Sequence, residues 1–359
     1  MSDPLKQIID LRCCLTGERH ALAGDLVNRG LRSLSVGTTS AAIFRQIASR
    51  QCMDERFGEL RPVLLPDATS RFQQRLESSL LLRIRECAPM ASDEPYTGHK
   101  VFRMVSPRRE GMVIDVADET VERFLRALLP VPESNGDYLG VPGLRFTVRD
   151  DHLRMHLLDS TGRLTDACAI LKGIGRRRWR KIWSKIGRVD YEETVSIGKC
   201  LDPVLTHSPK LDQIEVHNWD HPPEPNVALS SAVLRRYGLL KDAFAIDVWQ
   251  SRRAVVALEI DTGRPVEEIL HLLAAPYLGV DQDRFSIDIK RRVIVDRAAD
   301  LTGFKGGSPH TVQPPAIEFR TLRSYDDQSR DYLPDPAVVD QKGPSIEVGG
   351  NIGEGSAYE

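Results

Sequence analysis

Residues 243–295 read AFAIDVWQSRRAVVALEIDTGRPVEEILHLLAAPYLGVDQDRFSIDIKRRVIV, and the order of elements in this stretch sets the expectation for the fold. Phe244, Ile246 and Val248 fall on alternate positions, the period of a strand. Val255 to Ile260 is a second β-rich run, so the pair reads as a hairpin turning at Gln250-Ser251-Arg252. A helix follows, with Val266, Ile269, Leu270 and Leu273 on one stripe and Pro265 at its start, where a missing N–H costs nothing. Phe285 to Ile289 and Val293 to Val295 read as a second hairpin, completing a strand–strand–helix–strand–strand unit.

The same unit is written earlier in the chain. Val101 to Met104 and Met112 to Val116 read as its first strands, and Val121, Phe124, Leu125 and Leu128 repeat the helical stripe. Leu144 to Val148 and Leu153 to Leu157 give the closing hairpin. Tyr138-Leu139-Gly140-Val141 recurs as Tyr277-Leu278-Gly279-Val280, and Phe146 and Phe285 each lie eight residues beyond the tyrosine. The spacing predicts an internal duplication, with the extra residues Pro132 to Asp137 of the first copy in a surface loop.

Around these copies the 359 residues divide by composition into a helical domain over 1–92, a first module over 99–159, a connector over 160–241, a second module over 242–302 and a flexible acidic tail over 303–359. The helical domain is read from Leu5 to Leu11, Ala21 to Leu34, Thr39 to Cys52 and Phe72 to Cys87, with Thr38, Thr39 and Ser70 as N-caps and Gly30 and Gly37 as breaks. Leu164 to Leu171 is read as a helix opening the connector, and Leu229 to Leu240 as one closing it. Ile317-Glu318-Phe319 is a candidate extra strand at a sheet edge, in a region otherwise rich in Pro, Gly and acids. The fold class expected is therefore α+β: a helical N-terminal domain plus two duplicated ββαββ modules joined by a basic helical connector.

The net charge of −2 argues against a chain coated in nucleic acid, but the charge is uneven. Lys172 to Arg188 holds eight basic residues and no acidic one, while Ser308 to Glu359 holds nine acids against four bases. Cys13, Cys14, Cys52, Cys87, Cys168 and Cys200 form no CxxC pair, which predicts reduced thiols and a cytoplasmic location. The chain opens without a secretory pattern and contains no run of 18 apolar residues, so no membrane span is expected.

The basic run GIGRRRWRKIWSKIGR is the most unusual piece of the connector. On a helix, Trp179, Ile182, Trp183 and Ile186 share one face while Arg176, Arg177, Arg178, Arg180, Lys181 and Lys185 spread over the other. Such a helix suits phosphates of nucleic acid, an acidic partner or a membrane surface. It equally suits a helix anchored by two tryptophans beneath a solvated basic face, the stems of its arginines covering apolar surface. Further on, Cys200, His207, His217 and His221 are residue types that bind zinc, but their spacing fits no standard ligand pattern. His152 and His156 fall on a predicted hairpin, where four residues of separation put them on one face as packing or surface groups.

The second copy, with its first hairpin, Asp261-Thr262-Gly263, the helix containing VEEIL and the run GVDQDRFSI, resembles the ubiquitin-like β-grasp families over about 50 residues. Lys305-Gly306-Gly307 is similar to the glycine pair ending processed ubiquitin-like proteins, although a further tail follows it here. The resemblance implies tandem modules that bind another protein through their sheets and carry no active site. The same strands also resemble restriction-endonuclease-like nucleases, in which an Asp on one arm of a hairpin and a Glu-x-Lys on the next hold Mg²⁺. Asp247, Glu259 and Asp261 are the candidates for that alternative, with the lysine missing. No P-loop, GxGxxG after a strand, GxSxG or HExxH is present, and Gly173-Ile174-Gly175 is read as having no strand before it. The function expected is a non-enzymatic cytosolic adaptor or scaffold, without a cofactor, that contacts nucleic acid through residues 172–188; the alternative is the Mg²⁺-dependent nuclease.

Overall fold

The computed structural model describes residues 3–34, 38–49, 60–87, 101–132, 138–186, 226–297 (except 242, 244, 253–254 and 262–263) and 315–321. Two five-stranded sheets organise them. The first contains β1 (Phe102–Arg108), β2 (Gly111–Val116), β5 (Leu144–Val148), β6 (His152–Leu158) and β7 (Leu164–Lys172), in the order β1-β2-β7-β6-β5. The second contains β8 (Ala245–Arg252), β9 (Val255–Asp261), β10 (Phe285–Asp288), β11 (Val293–Asp296) and β12 (Ala316–Thr321), in the order β10-β11-β12-β9-β8. Counted within each copy, both orders are 1-2-5-4-3. In both, the second strand runs parallel to the fifth and every other pair is antiparallel.

The fifth strands depart from the sequence reading. Leu164 to Leu171, expected as a helix, is the long central strand β7, because Ala167, Ala169 and Leu171 alternate onto the buried face between β2 and β6. Ile317 to Phe319, expected at an edge, is the core of β12 between β9 and β11. Each copy is thus ββαβββ, and the first and second modules extend past 159 and 302. The insertion in the first copy is flanked by a short antiparallel pair, β3 (Val131–Pro132) against β4 (Tyr138–Leu139).

Helix α5 (Val121–Leu128) covers the inner face of the first sheet, with the Phe124 ring edge-on to Phe102 at 5.0 Å. The corresponding helix α8 (Val266–Leu273) buries Val266, Ile269, Leu270 and Leu273, the stripe expected. In both copies the Tyr-Leu-Gly-Val turn is tied to the last residue of that stripe. Val141 N–H donates to the Leu128 carbonyl at 3.1 Å, and Val280 N–H to that of Leu273 at 2.7 Å.

The N-terminal region supplies α1 (Pro4–Thr16), α2 (His20–Leu34), α3 (Ser40–Ser49) and α4 (Arg71–Leu82). Asp3 caps α1 through Leu5 N–H at 3.0 Å, and Gly17 ends it in the left-handed region at φ 74°. Gly30, expected as a break, lies inside α2, where an added Cβ would meet the Val63 carbonyl oxygen at 2.3 Å. Ser70 sits at the N-cap of α4, but its hydroxyl donates to Asp166 instead of capping. Gln73 on α4 completes β7 beyond the end of β2: its amide accepts from Cys168 N–H at 2.7 Å and donates to the Cys168 carbonyl at 3.1 Å.

Helix α7 (Val227–Leu234) is apolar nearly all round, as its burial demands, and packs against α4. Each of this pair precedes one sheet, and their sequences align as Ser78-Ser79-Leu80-Leu81-Leu82-Arg83 and Ser230-Ser231-Ala232-Val233-Leu234-Arg235. The elements that follow bridge the two halves: the 3-10 turn Arg85–Cys87 packs on both α5 and β8, and the turn Tyr237–Leu240 packs on α1 and β1. Buried guanidinium groups lock this centre. Arg235 forks onto Glu77, its Nε 2.8 Å from Oε2, and also donates to the carbonyls of Pro66 and Arg108. Arg12 forks onto Glu18 at 2.7 and 3.0 Å, with Ser106 on the same carboxylate. Such pairs fold stably only because every remaining lone pair and proton is also met.

Candidate nucleic-acid interface

The basic segment forms helix α6 (Arg176–Ile186) directly after β7, so Gly173-Ile174-Gly175 does follow a strand, contrary to the sequence reading. The β5–β6 turn fixes where the helix begins. Gly173 N–H donates to the Asp151 carbonyl at 3.2 Å and Arg176 N–H to that of Arg149 at 3.1 Å. Gly173 is left-handed at φ 77°, and at Gly175 a Cβ would come within 2.0 Å of the Asp150 carbonyl oxygen. Only glycine allows this approach.

The apolar face behaves as the wheel predicts. Trp179, Ile182 and Ile186 are buried and Trp183 is half-buried. The Trp179 ring lies 5.7 Å from Phe146 and stacks on Trp183 at 5.5 Å. Both tryptophans therefore anchor the helix on the inner face of the sheet, and Trp179 presents no open ring to a ligand.

The cations divide into two groups. Arg178 shares Asp118 with Arg103, and those two hydrogen bonds hold the Asp118 carboxyl below its ordinary range. Arg176 pairs with Asp150 at 3.1 Å, and Lys185 reaches Glu122 on α5 at 3.0 Å. These are exposed pairs, each contributing about 0–1 kcal/mol. Arg177, Arg180 and Lys181 are exposed and have no acidic partner among the described residues. An open depression at the helix start is lined by Asp150, Asp151, Arg176, Arg177, Arg178 and Arg180. No protein-family model, curated protein or solved structure matches this chain.

A second basic surface, missed in the sequence reading, lies on the outer face of the same sheet. Register places Arg149, His152 and Lys172 in one row across β5, β6 and β7, then Thr147, Arg154 and Ile170, then Arg145, His156 and Cys168, of which Arg145 and Cys168 are buried and leave the first two rows as the open surface. Its signal was the alternation Arg145, Thr147, Arg149 and His152, Arg154, His156, which reads as a polar strand face. Burial, with Arg154 and Arg149 close by, pushes the His156 imidazole down to about 4.

On the second sheet, Asp247 and Glu259 are register partners on β8 and β9, and Asp261 lies two residues beyond Glu259 opposite Ala245. The side chains of Asp247 and Asp261 lie outside the described residues. Glu259 is largely buried, with Arg320 of β12 at 3.8 Å; Arg320 also pairs with Glu318 at 2.6 Å. The carboxylate thus already faces a guanidinium, an environment that does not call for Mg²⁺. Among the described residues no group of three His, Cys, Asp or Glu is placed to hold a metal, and no helix is long and apolar enough to cross a membrane. Cys200, His207, His217 and His221, and Lys305-Gly306-Gly307, lie outside the described residues.

Proposed function

We propose that this chain is a non-enzymatic cytosolic scaffold of two tandem ββαβββ modules that contacts nucleic acid through α6, with the module sheets open to a protein partner. The observation that carries the reading is the helix itself: buried tryptophan and isoleucine hold it in place, while Arg177, Arg180 and Lys181 project with no acidic partner among the described residues. Unpaired cations on a fixed element bind phosphates without first breaking an ion pair, which favours a sequence-independent backbone contact. The likeness to ubiquitin-like proteins is one of element order. In a β-grasp the first strand lies beside the last, whereas here the second does.

The test is a titration of a 20-base-pair duplex against the full chain from low to physiological salt. Replacing Arg177, Arg180 and Lys181 with glutamate removes up to three phosphate contacts, so the log–log salt slope falls by roughly 0.9 for each. Unchanged affinity and slope in that variant overturn the reading. Cleavage of the duplex that needs Mg²⁺ and disappears in Glu259→Ala would establish the nuclease alternative instead.

A further inference from the structure

We propose that the outer face of β5, β6 and β7 is a second contact for the phosphodiester backbone of nucleic acid, with Arg149, Arg154 and Lys172 as its phosphate ligands. The proposal deepens the reading of α6 and rests on it for the class of ligand. Arg149, Arg154 and Lys172 are exposed and, among the described residues, none has a carboxylate within ion-pair distance. They lie on one face across three adjacent strands, so they are spaced by about 4.8 Å between strands and roughly 6.7 Å along them. A planar guanidinium on such a grid meets a phosphate with two parallel N–H donors.

The charge of the face is nearly of one sign. His156 is flanked by Arg145 on β5 and by Cys168 on β7, with Arg149 and Arg154 beside it. The nearest acids are Asp150 and Asp151 of the β5–β6 turn, held by Arg176 at 3.1 Å and His152 at 2.7 Å, Asp115, which the β2–β7 register puts beside Lys172 and which Arg103 holds at 3.7 Å, and Asp166 on β7, which accepts from Ser70 at 2.8 Å. An anion seated between Arg149 and Arg154 would offset their repulsion on the imidazole, the lesser cause after burial, and so shift its pKa upward. The composition separates nucleic acid from a protein partner. A stable protein interface needs a desolvated apolar centre, and this face offers one half-buried isoleucine, Ile170. A phosphate backbone needs only the charges. The three rows hold no Phe, Tyr or Trp, and their two imidazoles, His152 and His156, are half-buried, so stacking contributes little and the backbone carries the binding.

The face is continuous with α6 at the β5–β6 turn, where the carbonyl of Arg149 accepts from the first N–H of the helix. Because α6 packs on the inner face, a strand of nucleic acid that touches both surfaces bends round the end of the sheet at that turn, past Asp150 and Asp151.

Fluorescence-labelled 20-mers, single-stranded and duplex, are titrated against the full chain and two variants over a salt series. The Arg149→Ala/Arg154→Ala chain is expected to fold as the wild type does, and to lose about 1.8 from the log–log slope on duplex DNA, or about 1.4 on single strands. In parallel, the His156 ring proton resonance of the wild-type chain is followed against pH with and without the 20-mer, and its midpoint is expected to rise. Wild-type slope and affinity in the double variant, with an unmoved His156 midpoint, overturn this proposal while leaving the α6 reading intact. Loss in the double variant but not in the α6 glutamate variant upholds it and removes α6. Saturable binding of a polyglutamate peptide, with neither 20-mer bound, overturns both.

Discussion

Arg83 and Arg236 make the same contact in the two halves of the chain, although Arg83 aligns with Arg235: each donates to the glycine carbonyl of a Tyr-Leu-Gly-Val turn, Arg83 to Gly140 at 2.6 Å and Arg236 to Gly279 at 2.7 Å. Each follows the C-terminus of a helix of the central pair, α4 or α7. The turn that repeats in the sequence is thus the point where each module is fastened to the centre, by its valine N–H to its own helix and by its glycine carbonyl to arginine, Gly279 accepting from Arg61 as well at 3.1 Å. The carbonyl needs the arginine because neither sheet ladder reaches it.

The two arginines differ in burial, and this sets the size of their effects. Arg236 is fully buried and also donates to the carbonyls of Leu278 and Ala232, at 2.8 Å each, and to Asp67 at 2.7 Å. Arg236→Ala strands those acceptors and is expected to cost about 3–5 kcal/mol in denaturant unfolding. Arg83, whose side chain is 27% exposed, lets water replace part of what is lost, so Arg83→Ala costs roughly 1–2 kcal/mol. Equal costs would show that burial does not set the size of the effect.

Glu77 is the hub of the α4–α7 contact, accepting from Arg235, Ser231 and Gln73 with no solvent exposure. Glu77→Ala leaves a buried guanidinium uncompensated, for an expected loss of about 3–5 kcal/mol. The double replacement Glu77→Leu/Arg235→Met removes both charges and recovers most of that loss. Double-mutant denaturation measures the coupling, and additive losses would mean the pair acts independently.

Ser78 and Ser230 occupy equivalent places on α4 and α7, and their hydroxyls are buried without a hydrogen-bond partner. An unmet hydroxyl costs about 1–3 kcal/mol on burial, and alanine is also the better helix former. Ser78→Ala and Ser230→Ala are each expected to raise the melting temperature. A lowered melting temperature in both would mean that these hydroxyls find a partner in solution.

His156 makes stability depend on pH in a defined direction. Its pKa in the folded chain, about 4, lies below the 6.5 of an unfolded histidine. Above pH 6.5 both states are neutral and nothing changes. As pH falls from 6.5 toward 4 the unfolded state takes up the proton first, and stability drops. Urea unfolding at pH 7.5 and 5.0 should therefore show a smaller pH difference in His156→Asn than in the wild type. The comparison stops above the window where Asp118, Asp151, Asp159 and Glu267, all held below their ordinary values, begin to protonate.

The sequence alone determined the local elements whose side chains obey one period. The stripes of α5 and α8, the hairpins β5–β6 and β10–β11, and the amphipathic helix α6 all follow from spacing, because each buries one face and exposes the other. Tertiary structure alone decided which strands lie beside one another. β7 and β12 are fifth strands inserted at the centre of each sheet, and a strand buried on one face and half-covered on the other loses the clean alternation that identifies it. It also decided which charges are spoken for. Arg178 and Arg177 are neighbours of the same type in the sequence, but Asp118, 60 residues away, reaches only the first. Arg235 and Arg236 look like surface charges, and become the buried bolts of the fold because long-range carboxylates and carbonyls converge on them. Ion pairing over such separations depends on distance in space, which no local pattern encodes.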